Sequence, residues 1–139
     1  MWMARPDMVS LLLGAGLAVP GLWIRGWSAG TIHKDKKVAM TGPYALTRNP
    51  LYLGSFCIGL GVAFAGGQWF WSLAFLAFYI VIYSKTMKRE VRHLTELFPD
   101  VYSEYASNVP MFFPRITVWS SRNEIDFGGF CWSQYHRNK

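Results

Sequence analysis

Three apolar runs, separated by short polar segments, set the strongest limit on how this chain can fold. They cover Met8–Trp27, Leu51–Ala65 and Trp69–Ser84, and their only charged side chain is Arg25. Hydrophobic residues make up 52% of the sequence and charged residues only 16%, so little polar sequence is available to cover these runs in a water-soluble fold. The composition therefore favours a membrane protein, and a length of 139 residues favours one compact domain.

The first run, Met8–Trp27, is long enough to cross a bilayer as a helix, at about 1.5 Å per residue against roughly 30 Å of hydrocarbon. Pro20 and Gly21 predict a kink rather than a break. A cleaved signal peptide is the competing interpretation. Asp7 weakens the basic start that such a peptide needs, and no small-residue cleavage site leads into a soluble domain. We therefore expect one membrane-spanning helix here.

The second and third runs lie on either side of Gly66-Gly67-Gln68. Each run is short for a full crossing, at roughly 22 Å of helix, so the pattern predicts a tightly turned helical hairpin. Small side chains on its first arm would let another helix approach closely. These are Ser55, Gly59 and Gly61.

From Lys85 the pattern becomes amphipathic, Pro99 interrupts it, and the segment ends at Pro110. We expect this part to lie along the cytoplasmic face of the membrane. The predicted fold is an all-α integral membrane protein with three membrane-embedded helices, one span plus a hairpin, and a cytoplasmic amphipathic C-terminal helix. Residues 1–115 are predicted to form the membrane domain, and residues 116–139 an extra-membrane tail.

The net charge of +6 fits either nucleic acid or anionic lipid as a partner. Basic residues between 34 and 48 follow the first apolar run, and those between 85 and 92 follow the hairpin. Such placement at helix ends favours a membrane over nucleic acid and makes both clusters cytoplasmic in a multi-pass protein. Cys57 and Cys131 have no spacing that would build a zinc site, so we expect free thiols and no metal, with a disulfide as the minor alternative.

The segment from Thr41 to Gly54 lies where the polar connector, residues 28–50, enters the second apolar run. Gly42 permits close approach of the backbone, and Pro43 and Pro50 stiffen the segment. A helix that begins at Pro50 would offer free N–H groups to an anionic group. The segment therefore indicates a ligand site on the cytoplasmic side.

The residues from Gly42 to Gly54 resemble the signature G-P-Y-x-x-x-R-(H/N)-P-x-Y-x-G of the isoprenylcysteine carboxyl methyltransferase and phospholipid methyltransferase superfamily. A second segment, from Arg89 to Pro110, is similar to the family's acidic helix, E-E-x-x-L followed by F-G-x-x-Y-x-x-Y and V-P. The resemblance covers about residues 28–115. It implies a methyltransferase that holds S-adenosylmethionine between the connector and the acidic helix, in a pocket open to cytosol and to lipid.

Carried over by position, the resemblance assigns roles to particular residues. Glu90 would neutralise the cofactor's ammonium or accept from its ribose, Tyr44 and Tyr52 would pack against adenine or the sulfonium, and Arg48 would act as a catalytic residue that orients a carboxylate. The implied cofactor-binding residues are Lys36, Lys37, Val38, Ala39, Tyr44, Asn49, Pro50, Leu51, Tyr52 and Glu90.

Simpler interpretations exist for the same side chains. Arg48 fits an interfacial arginine, Tyr44 and Tyr52 fit an aromatic belt, and Glu90 fits an exposed ion pair. The two linked motifs favour ligand binding over each of these. The acceptor is expected to be a lipid or a lipid-modified molecule, with a carboxylate or an amine, because a pocket between membrane helices selects what partitions there.

Three positions depart from the family pattern. Asn49 stands where many members have His, and an amide cannot titrate near neutrality, which excludes a general base there. Val91 replaces the second Glu, and Thr86 stands where prenylcysteine enzymes carry an Arg associated with substrate. A non-catalytic membrane protein that retains the fold is therefore the alternative. The basic, aromatic end of the tail resembles the approach to another membrane helix in some relatives, which leaves a shortened chain open.

Overall fold

The computed structural model describes residues 6–31, 40–119 and 135–136, and within them the chain forms helices and no strands. The all-helical prediction is confirmed for this part of the chain. The main elements, in chain order, are α1 (Met8–Thr31), a 3-10 turn (Gly42–Ala45), α2 (Pro50–Ala65), α3 (Trp69–Leu97) and α4 (Pro99–Asn108).

Helix α1 begins at a reciprocal cap and runs past its predicted end. The Asp7 carboxylate accepts the Ser10 N–H at 2.7 Å, and the Ser10 hydroxyl accepts the Asp7 N–H at 3.0 Å. Pro20 lies inside the helix without ending it. The last turn, predicted as connector, is helical and buried, and the hydroxyls of Ser28 and Thr31 are satisfied by carbonyls four residues earlier, at 2.6 and 2.9 Å.

Helices α1 and α2 pack through a glycine seam formed by Gly14 and Gly21 of α1 and Gly54 and Gly61 of α2. A Cβ atom added to Gly21 would lie 2.8 Å from the Gly54 carbonyl oxygen, and one added to Gly61 would lie 2.5 Å from that of Gly14. The two backbones therefore approach so closely that no side chain fits between them. Gly61 serves the close approach that the sequence predicted, whereas Gly59 faces Phe75 of α3.

The predicted hairpin is present, and its second arm is longer than expected. The turn uses Gly67 at a φ of 73°, a conformation that suits glycine. Helix α3 then continues without interruption through Lys85 to Leu97. The predicted boundary at Lys85 is wrong, because polarity changes there but no Gly or Pro interrupts the backbone until Pro99.

Helices α1 and α3 are long and apolar enough to cross a membrane, and α2 is a shorter apolar helix of 16 residues. Large apolar side chains on both candidate spans are exposed, which fits a lipid environment. Examples are Leu12, Val19 and Trp23 on α1, and Trp69, Phe78 and Ile80 on α3. The number of crossings and the cytoplasmic side remain predictions.

A small core forms where α4 folds back on the end of α3. Its buried members are Tyr102, Tyr105 and Val109, and Val91 and Leu94 of α3 pack against them. The core therefore lies beside the segment that connects the 3-10 turn to α2.

Candidate functional site

The motif loop, residues 41–49, lies against the end of α1 and leads into α2. Gly42 has a φ of 58°, and a Cβ atom there would lie 3.3 Å from Trp27 Nε1, so both backbone conformation and space favour glycine. The carbonyl of Pro43 accepts the N–H groups of Leu46 and Thr47, each at 3.2 Å. Pro50 then occupies the first turn of α2, where its missing N–H costs nothing.

A segment after α4, residues 110–119, holds this loop in place and is called the strap here. Three successive loop residues donate to three successive strap carbonyls. The bonds are Thr47 Oγ1 to Phe112 (2.9 Å), Arg48 N–H to Pro110 (2.9 Å) and Asn49 Nδ2 to Met111 (2.7 Å). Two strap N–H groups donate in return, from Arg115 to the Leu46 carbonyl and from Trp119 to that of Ala45, at 2.9 and 3.2 Å.

The strap was not predicted from the sequence, since no local pattern signals a contact between residues more than 60 positions apart. The tail was predicted to begin at residue 116, and its first four residues belong to the strap. Trp119 packs on Tyr105 with ring centroids 5.7 Å apart. The division of the chain at residue 115 remains a prediction.

Tyr105 of α4 supports the motif loop from the other side. Its side chain is buried, and its hydroxyl lies 2.6 Å from the Tyr44 carbonyl oxygen and 3.5 Å from that of Thr47. The single proton of this hydroxyl is thus donated to the Tyr44 carbonyl, and the Thr47 carbonyl lies at the limit of hydrogen-bond distance. Tyr102, one turn earlier, offers its hydroxyl oxygen to Arg48 Nη1 at 3.3 Å.

Three predicted cofactor residues from three elements come together beside this loop. Glu90 of α3 lies close enough to the Tyr52 hydroxyl to accept a hydrogen bond. Burial raises the pKa of Tyr44, and Glu90 is also near enough to this phenol for its negative charge to raise that pKa further. Tyr44 is therefore a neutral phenol, able to donate a hydrogen bond throughout the physiological pH range.

Tyrosines of α3 fix the position of Tyr52 against Glu90. The Tyr79 hydroxyl donates to the Tyr52 carbonyl at 2.5 Å, and the ring of Tyr83 lies 5.4 Å from that of Tyr52. Tyr79, Tyr83 and Glu90 lie on one side of α3, because spacings of four and seven residues return to the same face of a helix. This supporting set was missed, although its helical spacing is legible in the sequence.

The other predicted site residues have different surroundings. Arg48 is partly buried, and its buried Nε atom finds no hydrogen-bond partner within the described ranges 6–31, 40–119 and 135–136. Asn49 is buried with its amide turned to Met111, while Pro50 and Leu51 form the first turn of α2. Residues Lys36, Lys37, Val38 and Ala39 lie outside the described residues.

The two departures on α3 have local explanations. Val91 packs against the apolar core of Tyr102, Tyr105 and Val109, where a second carboxylate would lose hydration. The Thr86 hydroxyl bonds back to the Ile82 carbonyl at 3.2 Å. Cys57 is a free thiol, as predicted, and Cys131 lies outside the described residues. Within the part of the chain that is described, no group of three or more metal-ligating side chains occurs.

The sequence was compared with known proteins. The pattern of the phospholipid methyltransferase family matches residues 9–101. The chain is 34% identical over 123 residues to the cobalt-zinc-cadmium resistance protein CzcN of Cupriavidus metallidurans, covering 85% of this chain and 54% of that protein. It is 30% identical over 125 residues to the nickel-cobalt-cadmium resistance protein NccN of Alcaligenes xylosoxydans xylosoxydans, covering 88% and 56%.

A third relative is the protein-S-isoprenylcysteine O-methyltransferase of Schizosaccharomyces pombe, 31% identical over 84 residues, or 60% of this chain and 36% of that enzyme. The chain thus spans about half the length of the two resistance proteins. No solved structure matches. The family pattern covers most of the chain, including the motif loop and Glu90, and the protein therefore belongs to the phospholipid methyltransferase family.

Proposed function

We propose that this protein transfers the methyl group of S-adenosylmethionine to a lipid or lipid-modified acceptor, a carboxylate or an amine, at the cytoplasmic face of a membrane. The observation that carries the proposal is the convergence of Tyr44, Tyr52 and Glu90 from the motif loop, α2 and α3. Family membership supports methyl transfer as the reaction class. The convergence supports this end of the helices as the place of the site.

The side chains present fit a zwitterionic, cationic cofactor. A carboxylate beside two phenol rings suits an ammonium or a sulfonium group, through charge attraction and contact with the ring faces. The first turn of α2 presents N–H groups that suit a carboxylate. The Arg48 Nε atom adds a buried donor that has no partner among the described residues. Buried donors normally have a partner, so an anionic group of the cofactor or acceptor is the proposed partner of this atom. Lys36 to Ala39 are proposed to complete the cofactor site.

The bound cofactor would supply a methyl group on a positively charged sulfur, open to attack from the side opposite the leaving group. The chain's own contribution is alignment, which can lower a barrier by about 7 to 11 kcal/mol. An ionised carboxylate acceptor needs no base. Asn49 cannot act as one, and its amide is already committed to the Met111 carbonyl.

The acceptor is proposed to arrive through the lipid. Helices α1 and α3 present exposed apolar side chains on their outer faces. The candidate site lies where α3 changes from apolar to charged sequence, and it is formed by Tyr44, Tyr52 and Glu90. A molecule with a hydrocarbon anchor and a polar end would therefore reach the candidate site along the helices.

Calorimetry of S-adenosylmethionine binding to the detergent-purified protein tests the proposal. We expect Glu90→Gln to weaken binding at least tenfold, because one carboxylate interaction with a cation is worth about 1.5 to 3 kcal/mol. Tyr44→Phe should weaken binding less. Glu104→Gln, an exposed position on α4, is the matched control and should bind like the parent protein. A folded protein that does not bind, or a Glu90→Gln variant that binds normally, would overturn the proposed site.

The competing proposal is a non-catalytic membrane protein that retains the fold and serves in metal resistance. Two relatives carry metal-resistance names, and Asn49 and Val91 depart from the family's motif. The same calorimetry separates the proposals. Tight binding followed by methyl transfer to a lipid extract supports the enzyme, whereas a folded chain without affinity for the cofactor supports the alternative.

A further inference from the structure

The strap carries large apolar side chains that the rest of the described protein leaves uncovered. Phe113 is 78% exposed, Ile116 102% and Val118 70%. The backbone beneath them is held in place, because the Arg115 N–H donates to the Leu46 carbonyl at 2.9 Å and its guanidinium to the Asn108 carbonyl at 2.5 Å. These side chains are therefore presented outward by an anchored segment.

The ring of Phe112 fixes the height of the strap relative to the membrane helices. It lies 5.7 Å from the ring of Phe56 on α2 and 6.3 Å from that of Tyr79 on α3. Phe56 is six residues beyond Pro50, or about 9 Å along the helix axis. The Phe112 ring thus reaches between α2 and α3, whereas its carbonyl accepts from Thr47 and keeps the strap backbone level with the motif loop. The exposed ring of Phe113, the next residue, lies on the outside at that level.

We propose that the strap is an interfacial membrane segment, with Phe113, Ile116 and Val118 inserted among bilayer lipids at the boundary between headgroups and acyl chains. Lipid is the occupant that the geometry favours, because the neighbouring outer face of α3 is itself apolar and exposed, at Phe78, Ile80 and Val81. Arg115 is compatible with this placement at the headgroup boundary, because its guanidinium is bonded to the exposed Asn108 carbonyl and to Thr117 and a long cationic side chain keeps its charge at the polar interface. The inference rests on the membrane placement of α2 and α3 and is independent of methyl transfer.

This placement gives the strap two functions in one segment. One side bonds to the motif loop through the carbonyls of Pro110, Met111 and Phe112, and the other side is in contact with lipid. The position of the motif loop is then fixed relative to the membrane surface as well as to the helices.

Spin labels on single cysteines test the proposal in phosphatidylcholine vesicles. In a background with Cys57→Ala and Cys131→Ser, labels are placed by Phe113→Cys and Ile116→Cys. Val62→Cys on α2, 65% exposed, is the lipid-facing control, and Glu104→Cys on α4, exposed and charged in the parent, is the aqueous control. Electron paramagnetic resonance then measures how often each spin label collides with oxygen, which concentrates in lipid, and with a nickel chelate, which stays in water.

We expect the labels at 113 and 116 to collide mainly with oxygen, as the label at 62 does. Labels that collide mainly with the nickel chelate, as at 104, would overturn the proposal. Labels shielded from both reagents would also overturn it, because protein would then cover the strap. The unfolding temperature of each labelled protein is measured first, and if Phe113→Cys fails to fold, position 116 decides the outcome alone.

Discussion

The glycine seam and the motif loop are both closely packed, but by opposite means. In the seam, α1 and α2 approach because Gly21 and Gly54 have no side chain to separate them. In the loop, the backbone is held by hydrogen bonds, above all from the Tyr105 hydroxyl to the Tyr44 carbonyl and from the loop's own Asn49 amide to the Met111 carbonyl of the strap. The stability of the seam should therefore be sensitive to added side-chain volume, and that of the loop to the loss of a hydrogen bond. Of the two regions, the loop is the one that lies beside the candidate ligand site.

The largest effect on stability is expected from Gly21→Ala. The new Cβ atom would lie 2.8 Å from the Gly54 carbonyl oxygen, and backbone cannot move aside as a flexible side chain can. We expect a loss of about 3 kcal/mol in the free energy of unfolding, at the upper end of ordinary overpacking. Gly16→Ala is the matched control, because a Cβ atom there meets nothing within 4 Å. Equal stability of the two variants in chemical denaturation would show that the seam is not tight.

An intermediate effect is expected from Tyr105→Phe, which keeps the ring and removes the hydroxyl. The Tyr44 carbonyl loses its donor, so we expect a loss of about 1 to 3 kcal/mol in the free energy of unfolding. A looser turn should also weaken cofactor binding. Ser107→Ala on the same helix removes an exposed hydroxyl that bonds to the Ser103 carbonyl, and it should change stability and cofactor affinity little. Unchanged stability and affinity in Tyr105→Phe would contradict the role given to this hydroxyl.

The smallest expected effect is a decrease in the free energy of unfolding that occurs only at alkaline pH. Burial raises the pKa of Tyr44 and of Tyr105 above the ordinary value, which is about 10 for an unfolded chain. The unfolded state therefore releases these protons first, so stability should be level up to about pH 9 and should fall as the pH rises beyond 10. Tyr44→Phe should make that fall shallower. Identical slopes for the variant and the parent in pH-dependent denaturation would disprove the assignment.

Much of the fold was predictable because its signals are local. The apolar runs predicted α1 and the hairpin, and Gly66-Gly67 placed the turn. The end of α3 was also signalled, by Pro99. The predicted boundary at Lys85 failed because a change from apolar to charged side chains is a change of surroundings and does not interrupt a helix.

The candidate site was predictable only in part. Tyr44, Tyr52 and Glu90 were expected together from the motifs, and the structure brings them together. The strap could not be predicted, because its bonds to the motif loop join distant residues through backbone carbonyls, which leave no pattern in side-chain identity. The seam did leave a signal, since its glycines recur at intervals of seven in both α1 and α2.

If α3 crosses the membrane as predicted, its continuity makes the position of the candidate site depend on the thickness of the bilayer. The helix has 29 residues, about 43 Å at 1.5 Å per residue. Glu90 lies 21 residues beyond Trp69, or about 31 Å, close to the roughly 30 Å depth of a hydrocarbon layer. With Trp69 at one interface, this length would place Glu90 at the level of the headgroups on the opposite side. A thinner membrane would leave the carboxylate standing in water, and a thicker one would draw it toward the acyl chains.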